Sequence, residues 1–180
     1  MKSKYRKITI GGLSGTGKGT ISKMLAEKIG FTRASVGDFA REMAKEEGMT
    51  IFQFDQKHQN DEEAGKKLDL ILDQRTEDFG RENTNFVFEG RLPAHFIKDA
   101  FKILLTCQDE ERARRIGQRD ETSAEDSLKE ALEREALLRD RYQIAYNLAD
   151  FDDPKYYDFV IDTTNITPDQ IVEKIISQIT

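Results

Sequence analysis

The 180-residue chain has a net charge of −6, 34% charged residues and one cysteine. That length fits one domain with a sizeable core, and the acidic balance disfavours nucleic acid as a partner unless a local basic patch exists. The longest apolar runs, such as residues 101–107, are far too short to span a bilayer, and residues 1–7 are basic without the apolar stretch of a signal peptide. A cytoplasmic monomer without membrane partners is expected, with Cys107 as a buried structural thiol in a reducing compartment.

Residues 7–10 read as a short strand that runs directly into a glycine cluster, after which Ile21, Met24, Leu25 and Ile29 recur at helical spacing. Residues 31–34 form a second strand candidate, followed by a helix over 38–47 with Phe39 and Met43 on one face. Residues 51–58 and 62–80 read as two further helices, the second carrying Leu68, Ile71, Leu72 and Phe79. Residues 86–88 and 103–105 are apolar without alternation, the pattern of central strands covered on both faces, and 159–161 is a third run of that kind. Thr167-Pro168-Asp169-Gln170 is a capping box with proline at the first helical position, opening a helix with Ile171, Val172, Ile175, Ile176 and Ile179 largely on one side. Strands alternating with helices throughout predict an α/β fold with a parallel sheet and right-handed crossovers.

Gly12-Leu13-Ser14-Gly15-Thr16-Gly17-Lys18-Gly19-Thr20 lies between the first strand and the first helix, where a phosphate-binding loop belongs. Glycines let successive backbone N–H groups turn around an anion, the helix N-terminus adds partial positive charge, and Lys18 reaches the β- and γ-phosphates of a triphosphate such as ATP. The hydroxyl comes one residue later than in the usual string, because Gly19 separates Lys18 from Thr20.

A triphosphate site alone would suit a GTPase or a motor equally, so the rest of the chain has to show whether a second substrate is held. Ser35-Val36-Gly37-Asp38-Phe39-Ala40-Arg41 follows the second strand and places Arg41 one turn into a helix, where a guanidinium grips a phosphate through two parallel hydrogen bonds. The alternative is that Ser35 or Asp38 only caps the helix and Arg41 is solvated. Glu89-Gly90-Arg91 follows the third strand at its carboxyl end, where ligands collect in open α/β sheets. There Glu89 would hold magnesium-bound water and Arg91 would face an acceptor phosphate.

These motifs together resemble the acceptor half of nucleoside monophosphate kinases. Phe-Val-Phe-Glu-Gly-Arg-Leu over 86–92 looks most like the archaeal-type cytidylate kinases, and the stretches 36–44, 134–135 with 139–142, and 157–163 are similar to that family in the same order. The resemblance covers nearly the whole chain. It implies a single P-loop NTPase three-layer sandwich over 1–180 with a five-stranded parallel sheet. It also implies a helical acceptor-binding insert over about 37–80 and a short lid over about 118–130. Its substrates would be ATP, with Mg2+, and a nucleoside monophosphate of the (deoxy)cytidylate type. Thr20 takes the family's place near the magnesium ion, and Arg115 and Arg119 match its Arg-Ile-x-x-Arg spacing. The chain departs from many members at Leu92-Pro93-Ala94-His95-Phe96, where they carry a small glycine-containing segment, and their loops often differ from Gly-Lys-Gly-Thr.

The arginines after the fourth strand divide into two groups. Arg115, Arg119, Arg134 and Arg141 are expected to stabilise charge on the transferring phosphoryl group. Arg112, Arg114 and Arg139, interleaved with acidic residues, are expected to form surface ion pairs. No general base is needed, because an acceptor phosphate is already an ionised nucleophile. His58 and His95 lack metal-ligand spacing and read as ordinary polar residues. Asp69 and Asp73, one helical turn apart, either accept a hydrogen bond from the exocyclic amine of cytosine or form a solvated face with Lys66, Lys67 and Arg75. Adenylate or another small metabolite as acceptor is the rival within enzymes, and a non-catalytic nucleotide-binding module is the rival outside them.

Overall fold

The computed structural model describes residues 3–180, the Gln59 side chain excepted. Among them are five strands: β1 (Lys7–Gly11), β2 (Thr32–Ser35), β3 (Phe86–Glu89), β4 (Phe101–Thr106) and β5 (Phe159–Asp162). They alternate with helices α1 (Lys18–Ile29), α2 (Val36–Glu46), α3 (Ile51–Gln59), α4 (Glu62–Glu82), α5 (Pro93–Phe96), α6 (Asp109–Asp120), α7 (Ala124–Tyr146) and α8 (Pro168–Ile179). Every strand pairing is parallel, in the order β2-β3-β1-β4-β5.

The two faces of the sheet bury different side chains, as the non-alternating strands require. On one side Ile8, Ile10, Val87 and Ile103 pack with Ile21 and Leu25 of α1 and Ile175 and Ile179 of α8. On the other, Phe86 and Phe88 pack with Ile97, Phe39 and Phe79. Each fully buried side chain of this kind contributes about 1.5–3 kcal/mol relative to exposure. A third cluster, Leu92, Leu138, Tyr142, Leu148 and Phe151, joins α7 to the segment after β3.

β3 and β4 flank β1 at the centre of the sheet, as their apolar runs predict. The third such run differs: β5 is an edge strand, and Val160 is 38% exposed. Cys107, just past β4, is half-buried rather than buried. β1 has β3 on one side and β4 on the other, so the loop after β1 sits where the chain switches sides, the usual place for a ligand in an open α/β sheet.

Candidate active site

The loop between β1 and α1 closes on itself and on α6. Gly12 has φ +142°, and a Cβ there would lie 2.4 Å from the Leu105 carbonyl oxygen, so a side chain is excluded on both counts. Gly15 has φ +82°, and a Cβ there would lie 2.9 Å from the Cα and carbonyl oxygen of Arg112. Within the loop the Thr16 hydroxyl and the Lys18 ammonium both donate to the Leu13 carbonyl, at 2.8 and 2.7 Å. Withdrawal of Lys18 from water, helped by the nearby Arg91 charge, brings its ammonium down from 10.5 to about 7. An incoming polyphosphate would restore the proton, because a charge that is costly in isolation becomes one half of an ion pair.

Two arginines of α6 hold the loop from behind. Arg112 is among the largest fully buried side chains, donates through Nε to the Ser14 carbonyl at 2.8 Å, and pairs with Asp109 and with the buried Glu135 of α7. The surface ion pair expected for Arg112 is therefore a buried one, because its partners include residues far away in sequence. Arg115 donates to the carbonyls of Gly15 (3.3 Å) and Thr163 (2.7 Å) and pairs with Glu111. Its donors are thus directed at the loop backbone and at β5's exit, and it lines neither cavity described below. Arg114 is exposed and paired with Glu111, as expected. Arg139 is half-buried and bidentate on Asp152, more enclosed than a surface pair.

Two contiguous cavities open in front of the loop. The first, about 350 Å³, runs from Ser14 and Lys18 past Glu89, Gly90 and Arg91 to Asp69 and Asp73 of α4, with Ser35 and Gly37 on one wall. That volume falls in the range of small-molecule sites, roughly 300–1,000 Å³. The second, about 700 Å³, shares Ser14, Asp69 and Arg91 with the first and is lined by Arg119, Arg134 and Arg141. Arg119 is tied to Asp120 and Arg141 to Asp69, at 2.6 and 2.7 Å. Among the described residues neither Arg91 nor Arg134 has a carboxylate within ion-pair distance, so both guanidiniums are open to an anion, although Asp55, Asp120, Glu130 and Glu133 also line the second cavity. Burial depresses the Arg91 guanidinium, which stays protonated all the same.

Arg41 and Asp38 stand apart from these walls. Ser35 caps α2 by accepting the Asp38 N–H at 3.0 Å, and Asp38 in turn holds Arg41, whose side chain is 55% exposed. The cap and the arginine are both present, but in this conformation Arg41 points at Asp38 and lines neither cavity. Thr20 is exposed on the first turn of α1.

Arg33, the second residue of β2, has a role that the sequence does not signal. Arg33 donates to Glu89 (2.6 Å), Asp38 (2.9 Å) and the Ser22 hydroxyl (3.3 Å), linking the acid beside the loop to the start of α2. A Cβ built at Gly19 would sit 3.7 Å from Glu89 Oε1, so this carboxylate does adjoin the phosphate loop. Among the described residues no group of three or more His, Cys, Asp or Glu side chains is arranged to hold a metal ion. The oxygen donors at the loop are the hydroxyls of Ser14, Thr16 and Thr20 and the carboxylate of Glu89, which also holds Arg33; so few protein oxygens fit a magnesium ion held mainly by phosphate oxygens and water.

At the far end of the first cavity the two aspartates of α4 have separate partners. Asp69 is paired with Arg141, whereas Asp73 accepts the Tyr146 hydroxyl at 2.6 Å. Burial is the main force raising the Asp73 carboxyl from 3.8 to about 6. The solvated face with Lys66, Lys67 and Arg75 is not what forms here: Lys66 pairs with Glu62, and Arg75 with Glu42 and Glu46. Thr76 and Leu138, signalled by no local motif, also line the wall, beside Tyr142, which ends the family-like stretch 139–142.

A parallel sheet with a glycine-lysine loop at its switch point, facing a second cavity rich in arginine, defines a P-loop kinase. Residues 7–165 match the model of the cytidylate kinase-like family, and the chain belongs to that family. Among curated relatives, the cytidylate kinase of Methanocaldococcus jannaschii is 41% identical over 162 residues, covering 87% of this chain and 88% of that one. The cytidylate kinase of Pyrococcus furiosus is 36% identical over 165 residues, 91% of this chain and 83% of that one. An S-adenosylmethionine-dependent nucleotide dehydratase of Lacinutrix mariniflava is 37% identical over 171 residues, which are 94% of this chain but only 35% of that protein's length. Among solved structures, shikimate kinase from Acinetobacter baumannii superposes with a TM-score of 0.65 at 18% identity, over 98% of this chain and 93% of that one, a likeness of fold. Among the described residues no helix is long and apolar enough to cross a membrane.

Proposed function

We propose that the chain transfers the γ-phosphate of ATP to CMP or dCMP, giving ADP and the cytidine diphosphate. The observation that carries this reading is Arg91: a guanidinium without a carboxylate partner among the described residues, at the junction of the two cavities, with Lys18 on one side and Asp73 on the other. A monophosphate lying along the first cavity would put its phosphate on Arg91 and its base against α4. There the ionised Asp73 accepts from the exocyclic amine of cytosine, while the carbonyl that uracil presents at that position repels it. An acceptor phosphate oxygen attacks the γ-phosphorus in line, the bond from γ-phosphorus to the bridging oxygen breaks, and ADP departs.

The loop N–H groups and Lys18 bind the donor, and Arg119, Arg134 and Arg141 stabilise charge on the transferring group. Arg112 and Arg115 position the loop rather than touch the nucleotide. Magnesium, held beside Thr20 and through water by Glu89, would neutralise the β- and γ-phosphate oxygens. Arg41 reaches the acceptor phosphate only after releasing Asp38, and residues 37–80 and 118–130 serve as acceptor insert and lid. Support for the cytidylate assignment comes from the relatives of that name at 33–41% identity. Calorimetric titration of CMP into the donor-free protein tests the acceptor half: Lys18→Ala should retain CMP binding, and Arg91→Met should lose most of it. Equal affinity in the wild type and Arg91→Met would remove Arg91 from the acceptor site.

A further inference from the structure

A third cavity, of about 400 Å³, lies behind the segment after β3, with Leu92 as a wall shared with the first cavity. His95, Lys98, Lys102 and Lys155 line it, and Asp158 is the one carboxylate on its wall. Asp158 is engaged by the backbone N–H of Lys102 at 2.8 Å, and Lys155 is compensated by Asp153 at 2.7 Å. Among the described residues neither Lys98 nor Lys102 has a carboxylate within ion-pair distance. In a chain of net charge −6 these two ammonium groups, with Lys155 and the single wall carboxylate Asp158, leave one concavity with more cationic than anionic side chains, an arrangement that favours an anion there. The His95 imidazole is held below its ordinary value mainly by burial, with Lys98 and Lys102 adding to the shift and Glu77 opposing it. Tyr156 adds a ring to the wall, with Lys155 stacked at 4.8 Å from its centroid.

We propose that this cavity is a second anion site that takes an oligophosphate chain, free or as the tail of a nucleotide, on Lys98 and Lys102. The site has a direct line to the acceptor cavity. The His95 ring lies tilted against Tyr146, with ring centroids 5.6 Å apart, and the Tyr146 hydroxyl holds Asp73. A ligand contacting His95 therefore sits two contacts from the base end of that cavity.

The chain has two histidines, so each gives its own imidazole Cε1 resonance, and they face different sites: His58 lines the arginine cavity and His95 the third one. The experiment titrates the magnesium-free protein with sodium tripolyphosphate in one arm and CTP in the other, and repeats both on K98Q/K102Q. Expected is a saturable shift of the His95 signal, a rise in its pKa as the anion neutralises the lysines, and at least about tenfold weaker binding in the variant, because both ammonium partners of the anion are gone. Turnover of the variant stays at the wild-type level. A response to tripolyphosphate shows that the phosphate chain suffices, and a response to CTP alone assigns the site to nucleotides. A His95 signal that neither compound moves would overturn the proposal. So would one that moves with the same midpoint in K98Q/K102Q, because His95 would then only be reporting on the phosphate loop.

Discussion

Truncating Arg112 to alanine removes three contacts at once: the donor to the Ser14 carbonyl, the pair with Asp109 and the pair with Glu135. The Asp109 carboxylate is 51% exposed, so that pair contributes at most about 1 kcal/mol. Glu135 is different, because its side chain is 6% exposed and would be left without its counter-charge, a change worth roughly 3–5 kcal/mol. With a midpoint shift of ~2–4 °C per kcal/mol for a chain of this size, melting should fall by about 6–20 °C. Arg112→Met combined with Glu135→Leu takes both charges out of the interior, and such apolar replacements are often neutral or stabilising. That double variant should recover most of the midpoint while turnover stays low, because the Ser14 carbonyl is still unheld. Calorimetric melting alongside ADP release separates the two effects. A single variant melting within about 2 °C of the wild type would show that the buried pair contributes little. A double variant with wild-type turnover would show that Arg112 does not position the loop.

Lys18→Ala should abolish turnover, whereas Arg91→Ala should raise the acceptor KM and also lower kcat; unchanged kinetics in either variant would refute the corresponding role. Because the free Lys18 ammonium sits at about 7, ATP binding at pH 8 should take up a proton, measurable by calorimetry in buffers of different ionisation enthalpy and absent from Lys18→Met. Asp73 is neutral below about 6 and ionised above it, so the preference for CMP over UMP in kcat/KM should grow as pH rises through 6. A protonated acid pairs with either base, and Asp73→Asn should flatten the profile. Arg33→Gln should weaken the response to magnesium by freeing Glu89 to move, with Arg33→Lys restoring part of it; an unaltered magnesium dependence in Arg33→Gln would leave Arg33 a purely structural residue.

The phosphate loop and four of the strands were legible because their signals are local, glycine and lysine at fixed spacing and short apolar runs, whereas β2, Thr32-Arg33-Ala34-Ser35, is largely polar and was legible mainly from its place between the first helix and the Ser35 cap. The edge position of β5 was not, since Phe159-Val160-Ile161 has the composition of a central strand and only the partner count distinguishes the two. Arg112 was misread because acidic neighbours at helical spacing imitate a solvated face. Its decisive partners, Ser14 and Glu135, lie 98 and 23 residues away. Arg33 gave no signal, being a single basic residue in a four-residue strand whose partners come from α1, α2 and β3. For Asp69 and Asp73 the spacing correctly put both on one face of α4, but only tertiary contacts could assign one to Arg141 and the other to Tyr146.

The most direct test of the account is ADP release from Mg-ATP with CMP, dCMP, UMP, AMP and GMP supplied one at a time. Fast turnover with CMP or dCMP and slow turnover with the others is the predicted result. A preference for AMP would leave the P-loop kinase standing and discard the cytidylate assignment, and ATP binding without phosphorylation of any acceptor would contradict the proposed activity altogether.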